Sequence, residues 1–285
     1  MKINFTKMHG CGNDYIYINC FDNKIENPNM LSIEMSERHF SVGSDGIVLI
    51  ERSEVADAKM RMFNADGSEG KMCGNAVRCI GKYLYENQIV LKKEISIETL
   101  SGIKHLKLFI ENGNVYKVSV DMGVASFNPL DIPTTLDHEM INEKCILNKK
   151  EYNMTALSMG NPHAVIFLDN ISNINLEKKG YFFENNPIFP QRVNTEFVKI
   201  IDKNHLKMRV WERGSGETYA CGTGACATVA AACKNKITNF NEVVYVELIG
   251  GTLEIIVDNN YNVIMTGPTK KVYDGVYEYE NKIKW

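Results

Sequence analysis

A polar, glycine-bearing loop leads into a run of small apolar residues in Glu217-Thr-Tyr-Ala-Cys-Gly-Thr-Gly-Ala-Cys-Ala-Thr-Val-Ala-Ala-Ala-Cys-Lys234. The segment from Gly224 to Cys233 contains neither a charged residue nor a proline, so it can form a helix that is apolar on every side. A helix of that kind is normally buried. Cys221 would then lie at its amino end, where unpaired N–H groups and the helix dipole favour negative charge. We therefore expect a reactive thiol with a lowered pKa.

Cys73 occupies a second position of the same kind. It follows a polar, glycine-containing loop and precedes a helical pattern, and it lies 148 residues before Cys221 (221 − 73 = 148). The same offset relates four further pairs: Arg61 and Arg209, Phe63 and Trp211, Glu69 and Glu217, Gly12-Asn13 and Gly160-Asn161. Because a constant register over separated motifs is hard to obtain by chance, we interpret the chain as two copies of one β-rich unit, each with a buried central helix.

Short apolar runs bounded by turn residues predict strands in both copies. The main ones are Ile16 to Ile18, Ile47 to Ile50, Ala164 to Leu168 and Phe197 to Ile201, with hairpin turns at Asn112-Gly113 and Asn259-Asn260. A short surface helix is expected from Met30 to Phe40. The fold class is therefore α+β, with a first domain over residues 1–122 and a second over 123–267. Residues 268–285 are expected to return to the first domain.

Composition limits the classes of function. The 285 residues are 44% hydrophobic and 24% charged, as in soluble globular proteins, and the net charge of −3 argues against non-specific nucleic-acid binding. No apolar stretch approaches the roughly 20 residues that span a bilayer. The amino terminus lacks the apolar core of a signal peptide, so a cytoplasmic location with reduced thiols is expected. The eight cysteines form no Cys-x-x-Cys pair, and no metal site is predicted.

Two cysteines at helix amino termini suit acid/base chemistry on the two faces of a bound carbon. One thiolate removes a proton while the opposite thiol supplies one to the other face, which inverts the stereocentre. Helix amino termini that offer N–H groups to the substrate carboxylate would stabilise the developing carbanion. No lysine stands in a context that suggests a Schiff base, so no cofactor is predicted.

Seven segments of the sequence resemble the diaminopimelate epimerase family, whose members interconvert LL- and meso-diaminopimelate without a cofactor for lysine and peptidoglycan synthesis. These segments are Lys7-Met-His-Gly-Cys-Gly-Asn-Asp14, Phe63-Asn-Ala-Asp-Gly-Ser-Glu69, Cys73-Gly-Asn-Ala-Val-Arg-Cys79, Ser158-Met-Gly-Asn-Pro-His163, Glu212-Arg-Gly-Ser-Gly-Glu-Thr218, Ala220-Cys-Gly-Thr-Gly-Ala225 and Val272-Tyr-Asp-Gly275. The resemblance runs the length of the chain. It implies two pseudo-symmetric domains, each a β-barrel-like antiparallel sheet around a central α-helix.

The resemblance also implies roles for individual residues. Cys73 and Cys221 would be the two bases, and His163 and Glu212 would lie beside the thiols and tune them. The substrate-binding residues would be Asn13, Asn64, Gly74, Asn75, Asn161, Asn194, Glu212, Arg213, Gly222 and Thr223. Tyr273 matches a tyrosine at the interface of the family's homodimer. Gly46 departs from the family, since some members have a glutamine there that touches the distal end of the substrate.

Other functions fit parts of the pattern. A phenazine-biosynthesis-type isomerase of the same superfamily would lack the cysteine pair. A proline racemase-like enzyme would keep it, but Arg213 can clamp a second carboxylate that diaminopimelate has and proline lacks. A small-anion-binding or redox-sensing protein is a different class, and the sequence has no Walker-type Gly-Lys-Ser/Thr motif. Cys79, Cys226 and Cys233 are interpreted as buried packing groups.

Overall fold

The computed structural model describes residues 1–147 and 150–279 of the chain. Two compact units are present, one formed by residues 1–120 with 267–279 and the other by residues 121–266. The domain bounds expected from the repeat, 1–122 and 123–267, remain a prediction. The part of the predicted returning segment beyond residue 279 lies outside the described residues.

The elements of both units follow in chain order. They are β1 (Lys2–Gly10), β2 (Asn13–Asn19), α1 (Pro28–Ser36), β3 (Gly46–Glu51), β4 (Ala58–Asn64), β5 (Glu69–Gly70), α2 (Gly74–Glu86), β6 (Glu94–Thr99), β7 (Gly102–Glu111), β8 (Asn114–Val124), β9 (Glu143–Leu147), β10 (Lys150–Ser158), β11 (Pro162–Phe167), α3 (Leu176–Glu184), β12 (Asn194–Asp202), β13 (His205–Glu212), β14 (Gly216–Glu217), α4 (Gly222–Lys234), β15 (Val244–Leu248), β16 (Gly251–Val257), β17 (Asn262–Pro268) and β18 (Lys270–Glu278). The strands and helices predicted from apolar runs are all present. The surface helix predicted from Met30 to Phe40 begins two residues earlier, at Pro28, and its predicted end was wrong, because the helix ends at Ser36. Proline is well suited to the first position of a helix.

The first unit is a sheet in the order β18–β1–β2–β3–β4–β6–β7–β8, with β5 paired to β4. The second unit repeats this order as β9–β10–β11–β12–β13–β15–β16–β17, with β14 paired to β13. The predicted α+β class is confirmed, and the equal strand order confirms the predicted repeat.

The expectation of an antiparallel sheet needs a correction at two strand pairs in each unit. The pairs β2–β3 and β4–β6 are parallel in the first unit, as are β11–β12 and β13–β15 in the second. Each of these connections contains a helix, and a crossover of that length brings the next strand back in the same direction as the first. Both central helices, α2 and α4, are such crossovers.

The sheet of each unit curves around its central helix. In the first unit, α2 contacts the neighbouring strands β1 and β2 and also β7, which lies far from them in the strand order. In the second, α4 contacts β10, β11, β12, β15 and β16. Every residue from Gly224 to Cys233 is buried, as predicted for a helix that is apolar all round. Its small side chains leave room for the strands to approach closely, and Cys79, Cys226 and Cys233 pack in these cores.

The offset of 148 residues holds for the helices to the residue. It takes α1 (Pro28–Ser36) to α3 (Leu176–Glu184) and α2 (Gly74–Glu86) to α4 (Gly222–Lys234). Cys73 and Cys221 are the residues that cap α2 and α4 at their amino ends, both with extended backbone angles. The fold therefore gives the two thiols the same local setting. Within the described ranges, no helix is long and apolar enough to cross a membrane.

Candidate active site

The thiol of the first unit is half-buried at the start of α2. Its Sγ donates to Oδ1 of Asn13 over 3.2 Å, and Nδ2 of Asn75 donates to the same oxygen over 3.3 Å. Asn13 begins β2, next to the turn after β1, while Asn75 lies in the first turn of α2. Three of the predicted site residues, Cys73, Asn13 and Asn75, thus converge in this unit.

A charged network fixes the orientation of the Asn13 amide. Its Nδ2 donates to Asp45 over 2.7 Å, which leaves Oδ1 as the acceptor that faces Cys73. Arg38 bridges Asp45 and Asp14, at 2.8 Å from each, and the buried Lys7 pairs with Asp14. The pKa of Asp14 is lowered, because its hydrogen bonds to Arg38 and Lys7 and their charges outweigh its burial. Burial and the charge of Asp14 raise the pKa of Asp45. The network of hydrogen bonds holds the asparagine in one orientation.

The remaining predicted residues of the first unit have separate contacts. Asn64 donates to Ser68 over 3.0 Å, and Gly74 accepts from the buried Arg78 at 3.2 Å. Gly46 lies at a φ of 155°, and a Cβ at this position would overlap the carbonyl oxygen of Phe63. This backbone therefore requires glycine at position 46, and a glutamine like that of some family members does not fit here.

The thiol of the second unit is buried, with 6% of its surface exposed. Its Sγ accepts from the N–H of Gly224 over 3.3 Å and lies 3.4 Å from Oγ1 of Thr223. The carboxyl group of Glu212 accepts from the Thr218 hydroxyl and lies close enough for its charge to act on Cys221. Cys221, Thr223 and Glu212 are therefore brought together by the end of β13 and the start of α4.

The expected lowering of the Cys221 pKa was wrong. Burial raises the pKa of this thiol well above its usual value, and the charges of Glu212 and Glu196 raise it further. The Gly224 N–H and the Thr223 hydroxyl act in the opposite direction and are outweighed. Burial likewise raises the pKa of Glu212, against the hydrogen bond from Thr218. In this site, desolvation and like charge dominate over the helix terminus.

His163 and Asn161 lie on the other side of the same pocket of polar groups. The imidazole is fully buried, with Nδ1 2.7 Å from Oε1 of Glu196 and Nε2 3.0 Å from Oδ1 of Asn161. Nδ2 of Asn161 lies 3.4 Å from the Thr223 hydroxyl. His163 thus contacts the surroundings of Cys221 through Asn161, and its strand β11 is held by the parallel pairing with β12.

Asn194 and Arg213 form a second group in this unit. Asn194 donates to the carbonyl of Pro162 over 2.9 Å and accepts from the Arg213 N–H over 3.0 Å. The guanidinium of Arg213 is exposed and donates to the carbonyl of Gln191 over 3.0 Å. Gly222 is the first residue of α4. A cation on this loop is available to an anionic ligand.

Tyr273 lies on β18 and has 43% of its surface exposed. Its ring packs edge-on against Phe5, with the centroids 5.9 Å apart. The side chain is therefore only partly used within this chain, and the structure leaves its predicted interface role untested.

Glu196 is a buried carboxylate that the motif analysis missed. It lies in β12 between Thr195 and Phe197, in a sequence that does not resemble any of the site motifs. The repeat offers the one signal that could have found it, because its counterpart 148 residues earlier is the buried Val48. A charged residue where the other copy has valine indicates a specific partner, here His163.

Thiol, imidazole and carboxyl groups, all present here, are side chains that can accept and donate protons in catalysis. The N–H groups at the starts of α2 and α4 can bind a carboxylate. Among the residues described, no group of three or more His, Cys, Asp or Glu side chains could hold a metal ion. The chemistry that these residues can supply is general acid/base catalysis.

Comparison with known proteins agrees with this chemistry. The family model for diaminopimelate epimerase matches residues 5–128 and 155–272. The diaminopimelate epimerase of Agathobacter rectalis is 51% identical over 281 residues, which cover 95% of this chain and 98% of that protein. Among solved structures, a hydroxyproline epimerase from Agrobacterium vitis with bound trans-4-hydroxy-L-proline has a TM-score of 0.71 at 13% identity, covering 96% of this chain and 92% of that one. A phenazine biosynthesis protein of the PhzF family from Bacillus anthracis has a TM-score of 0.69 at 17% identity, covering 98% and 100%. These two structures share the fold.

Proposed function

The chain belongs to the diaminopimelate epimerase family, and from that premise we propose that it interconverts LL- and meso-2,6-diaminopimelate. The single observation that carries the proposal is the equal placement of Cys73 and Cys221 as the amino-terminal caps of helices that are 148 residues apart in one repeat. The reaction inverts one stereocentre, and an acid and a base of the same kind, one in each copy of the repeat, suit that task.

The proposed reaction is a pair of proton transfers. The thiolate of one cysteine takes the proton from the α-carbon, and the thiol of the other gives its proton to the opposite face. The bond from carbon to the first proton breaks as the new one forms, and no oxidant, metal or aldehyde cofactor enters the balance. The two cysteines end in exchanged protonation states, which exchange with solvent resets, and their roles are reversed when the reaction runs backwards.

The surroundings of each thiol support this assignment. Cys73 donates to Asn13, whose acceptor oxygen is held in place by the bond from its amide to Asp45. The raised pKa of Cys221 favours its protonated form, so this thiol is ready to act as the acid. Glu212, whose charge acts on this thiol, is proposed to take up its proton before Cys221 acts as the base. His163 is proposed to tune the same proton transfers.

Substrate binding is proposed for the residues around the thiols. The N–H groups of Gly74 and Asn75 and of Gly222 and Thr223 would hold the carboxylate at the reacting carbon, since helix starts favour anions. The side chains of Asn13, Asn64, Asn161, Asn194, Glu212 and Arg213 would bind the two amino-acid ends of the substrate. Arg213 distinguishes this proposal from a proline racemase-like activity, because it can bind a second carboxylate in a bidentate manner.

Deuterium exchange tests the proposed reaction. Purified protein, kept reduced and incubated with diaminopimelate in deuterated water, is expected to place deuterium at the α-carbon of the stereoisomer formed. NMR of both stereoisomers measures the label. Protein that is folded and reduced but leaves both stereoisomers unlabelled would rule out the epimerase function. Labelled hydroxyproline or proline in place of diaminopimelate would instead favour the racemase alternative.

The two-thiol mechanism is tested by Cys73→Ala and Cys221→Ala. Each variant lacks one of the two proton carriers, so each is expected to lose net inversion by at least about 10²-fold. The rates of epimerisation from LL- to meso-diaminopimelate and in the reverse direction are measured for each variant. Cys20→Ala is the matched control, because Cys20 is a half-buried thiol outside both helix starts. Full activity in either of the first two variants would remove that cysteine from the mechanism.

Assembly and cellular role follow from the same proposal. We infer a homodimer with Tyr273 at its interface, a place in lysine and peptidoglycan precursor synthesis, and a cytoplasmic location. The exposure of Tyr273 on β18 is compatible with such a contact. Sedimentation velocity of the wild type and of Tyr273→Ala measures the assembly. A wild type that sediments as a monomer at all concentrations would exclude the dimer.

A further inference from the structure

A chain of polar contacts leads from a buried carboxylate to the thiol of the second unit. Glu196 lies 2.7 Å from Nδ1 of His163, and Nε2 of the same ring lies 3.0 Å from Asn161. The amide of Asn161 lies 3.4 Å from the Thr223 hydroxyl, which is 3.4 Å from the Cys221 Sγ. The residues of this line of contacts come from β12, from β11 and the turn before it, and from the start of α4.

Glu196 also lies against the first turn of α4. A Cβ added to Gly224 would come within 2.7 Å of Oε1 of Glu196 and 3.3 Å of the Cys221 Sγ. Gly224 is also the residue whose N–H donates to Sγ of Cys221 over 3.3 Å. Because Gly224 has no side chain, the Glu196 carboxyl group can lie close to this residue. Glu196 and Cys221 are neighbours by this short route as well as through His163.

The His163 ring is held at both of its nitrogens. Nδ1 lies against the Glu196 carboxyl group and Nε2 against the Asn161 side-chain oxygen. The side chains of His163 and Glu196 are both fully buried. The second carboxyl oxygen of Glu196 is buried without a hydrogen-bond partner, so the contact of Oε1 with His163 is what compensates this side chain.

The repeat indicates that this group belongs to one thiol. In the first unit, the positions that correspond to His163, Glu196 and Glu212 are Tyr15, Val48 and Asn64. Tyr15 and Val48 are buried, and none of the three carries a charge near neutral pH. At the position of Glu196, the first unit packs with a valine. Packing alone therefore does not explain a buried glutamate at this position of the second unit.

We propose that Glu196 is a positioning residue for proton transfer at Cys221: it fixes the orientation of the His163 ring and places a carboxylate beside the thiol. The groups that face Cys221 are then Glu212 from β13, Glu196 from β12, the Thr223 hydroxyl and the Gly224 N–H from α4, and His163 through Asn161. The kinetic part of this inference rests on the proposed epimerase function, whereas the effect on the thiol itself does not.

The test is the pH dependence of alkylation at Cys221 in the wild type and in Glu196→Gln. The isosteric amide can still accept from Nδ1 but carries no charge. The midpoint of the pH dependence of Cys221 alkylation is therefore expected to fall by about one pH unit, because a like charge has been removed. Iodoacetamide labelling of substrate-free protein, read by mass spectrometry of each cysteine peptide, measures it, and Cys73 serves as the internal control.

Kinetics provide the second readout. For Glu196→Gln we expect kcat for diaminopimelate to fall by about tenfold or more with KM within about threefold, since proton transfer and not binding is affected. Glu196→Asp retains the charge but is shorter, so it is expected to restore the alkylation midpoint without restoring kcat. Glu86→Gln, a half-buried glutamate that bonds Lys82 and Val115 at the far end of α2, is the matched control.

The outcomes separate the two proposals. An unchanged Cys221 midpoint in folded Glu196→Gln, or equal shifts in that variant and in Glu86→Gln, would overturn the role of Glu196. If Glu196→Gln does not fold, a midpoint and kcat in Glu196→Asp equal to those of the wild type would overturn it. A wild type without deuterium exchange into diaminopimelate would refute the proposed function, while a shifted midpoint would still support the placement of the charge.

Discussion

At the scale of the residue, Cys221 is governed by competing electrostatic effects. A helix start favours the thiolate, but its influence falls off within the first turn and is limited to partial charges. Burial removes the water that would stabilise the anion, and two carboxylates add full negative charges close by. These terms exceed the contribution of the Gly224 N–H, so the thiol of a buried helix start holds its proton more tightly.

Glu212 provides a stability prediction at the same scale. Burial raises its pKa above the value of 4.5 that it has in the unfolded chain, so the folded state binds the proton more tightly. This contribution to stability is fully present below the unfolded pKa and is lost as pH rises through the folded one. Because glutamine does not titrate, Glu212→Gln does not lose this stability as pH rises. Thermal unfolding from pH 4.5 to 8 should therefore show a Tm difference, variant minus wild type, that grows with pH.

A control variant and a possible contradicting result complete the test of Glu212. Glu217→Gln serves as the control, because this glutamate is a partly exposed partner of Arg209 on the neighbouring short strand. Its Tm difference is expected to stay level or to move against the variant as pH rises. A difference for Glu212→Gln that does not change with pH would mean that this carboxyl group keeps its ordinary titration in the folded protein.

At the scale of the element, α3 supports the loop that carries Arg213. Its Glu184 accepts from the Trp211 ring N–H over 2.7 Å and from the Gly214 N–H over 2.8 Å. Gly180, on the same helix, faces the Trp211 ring so closely that a Cβ would overlap the indole. The first unit uses a different contact at the equivalent place, where Ser32 of α1 donates to the carbonyls of Phe63 and Asn64. The helices occupy equal positions but fix their loops by different chemistry.

Gly180→Ala tests this contact. The added methyl group has no room against a rigid ring, so the helix or the indole must move, and overpacking of this kind costs about 1–3 kcal/mol. Urea unfolding measures the change in the free energy of unfolding. Lys178→Ala, at an exposed position of the same helix, is expected to change it by less than about 0.5 kcal/mol. Equal stability of Gly180→Ala and the wild type would show that α3 does not pack tightly on Trp211.

At the scale of the whole molecule, the two units differ in where their edge strand comes from. In the second unit β9 directly precedes β10 and pairs with it, whereas in the first β18, from the end of the chain, pairs with β1. The Tyr279 N–H donates to the Met1 carbonyl over 2.8 Å, so the two ends of the described chain lie together. The first unit thus depends on residues that the chain supplies last.

Gly275→Val tests this dependence. Gly275 pairs with Phe5 across β18 and β1, and a Cβ there would lie 2.5 Å from the Phe5 ring. The variant is expected to lose about 1–3 kcal/mol of stability through overpacking. Hydrogen exchange should increase in β1 and β18 and stay unchanged in α4 and β16. Val276→Thr, at an exposed position of β18, is the control. Faster exchange in α4 as well would show that the units unfold together.

The repeat, the helix starts and the two cysteines could be predicted from the sequence, because glycine loops, apolar periodicity and a constant offset do not depend on contacts between distant residues. The surroundings of the thiols could not be predicted, because they are formed by residues that meet only after folding. Glu196 is one residue among the polar and apolar residues of β12 until the parallel pairing of β11 with β12 brings it to His163. The pKa of Cys221 likewise depends on burial and on carboxylates from other strands, which are separated from it in sequence and adjacent only after folding.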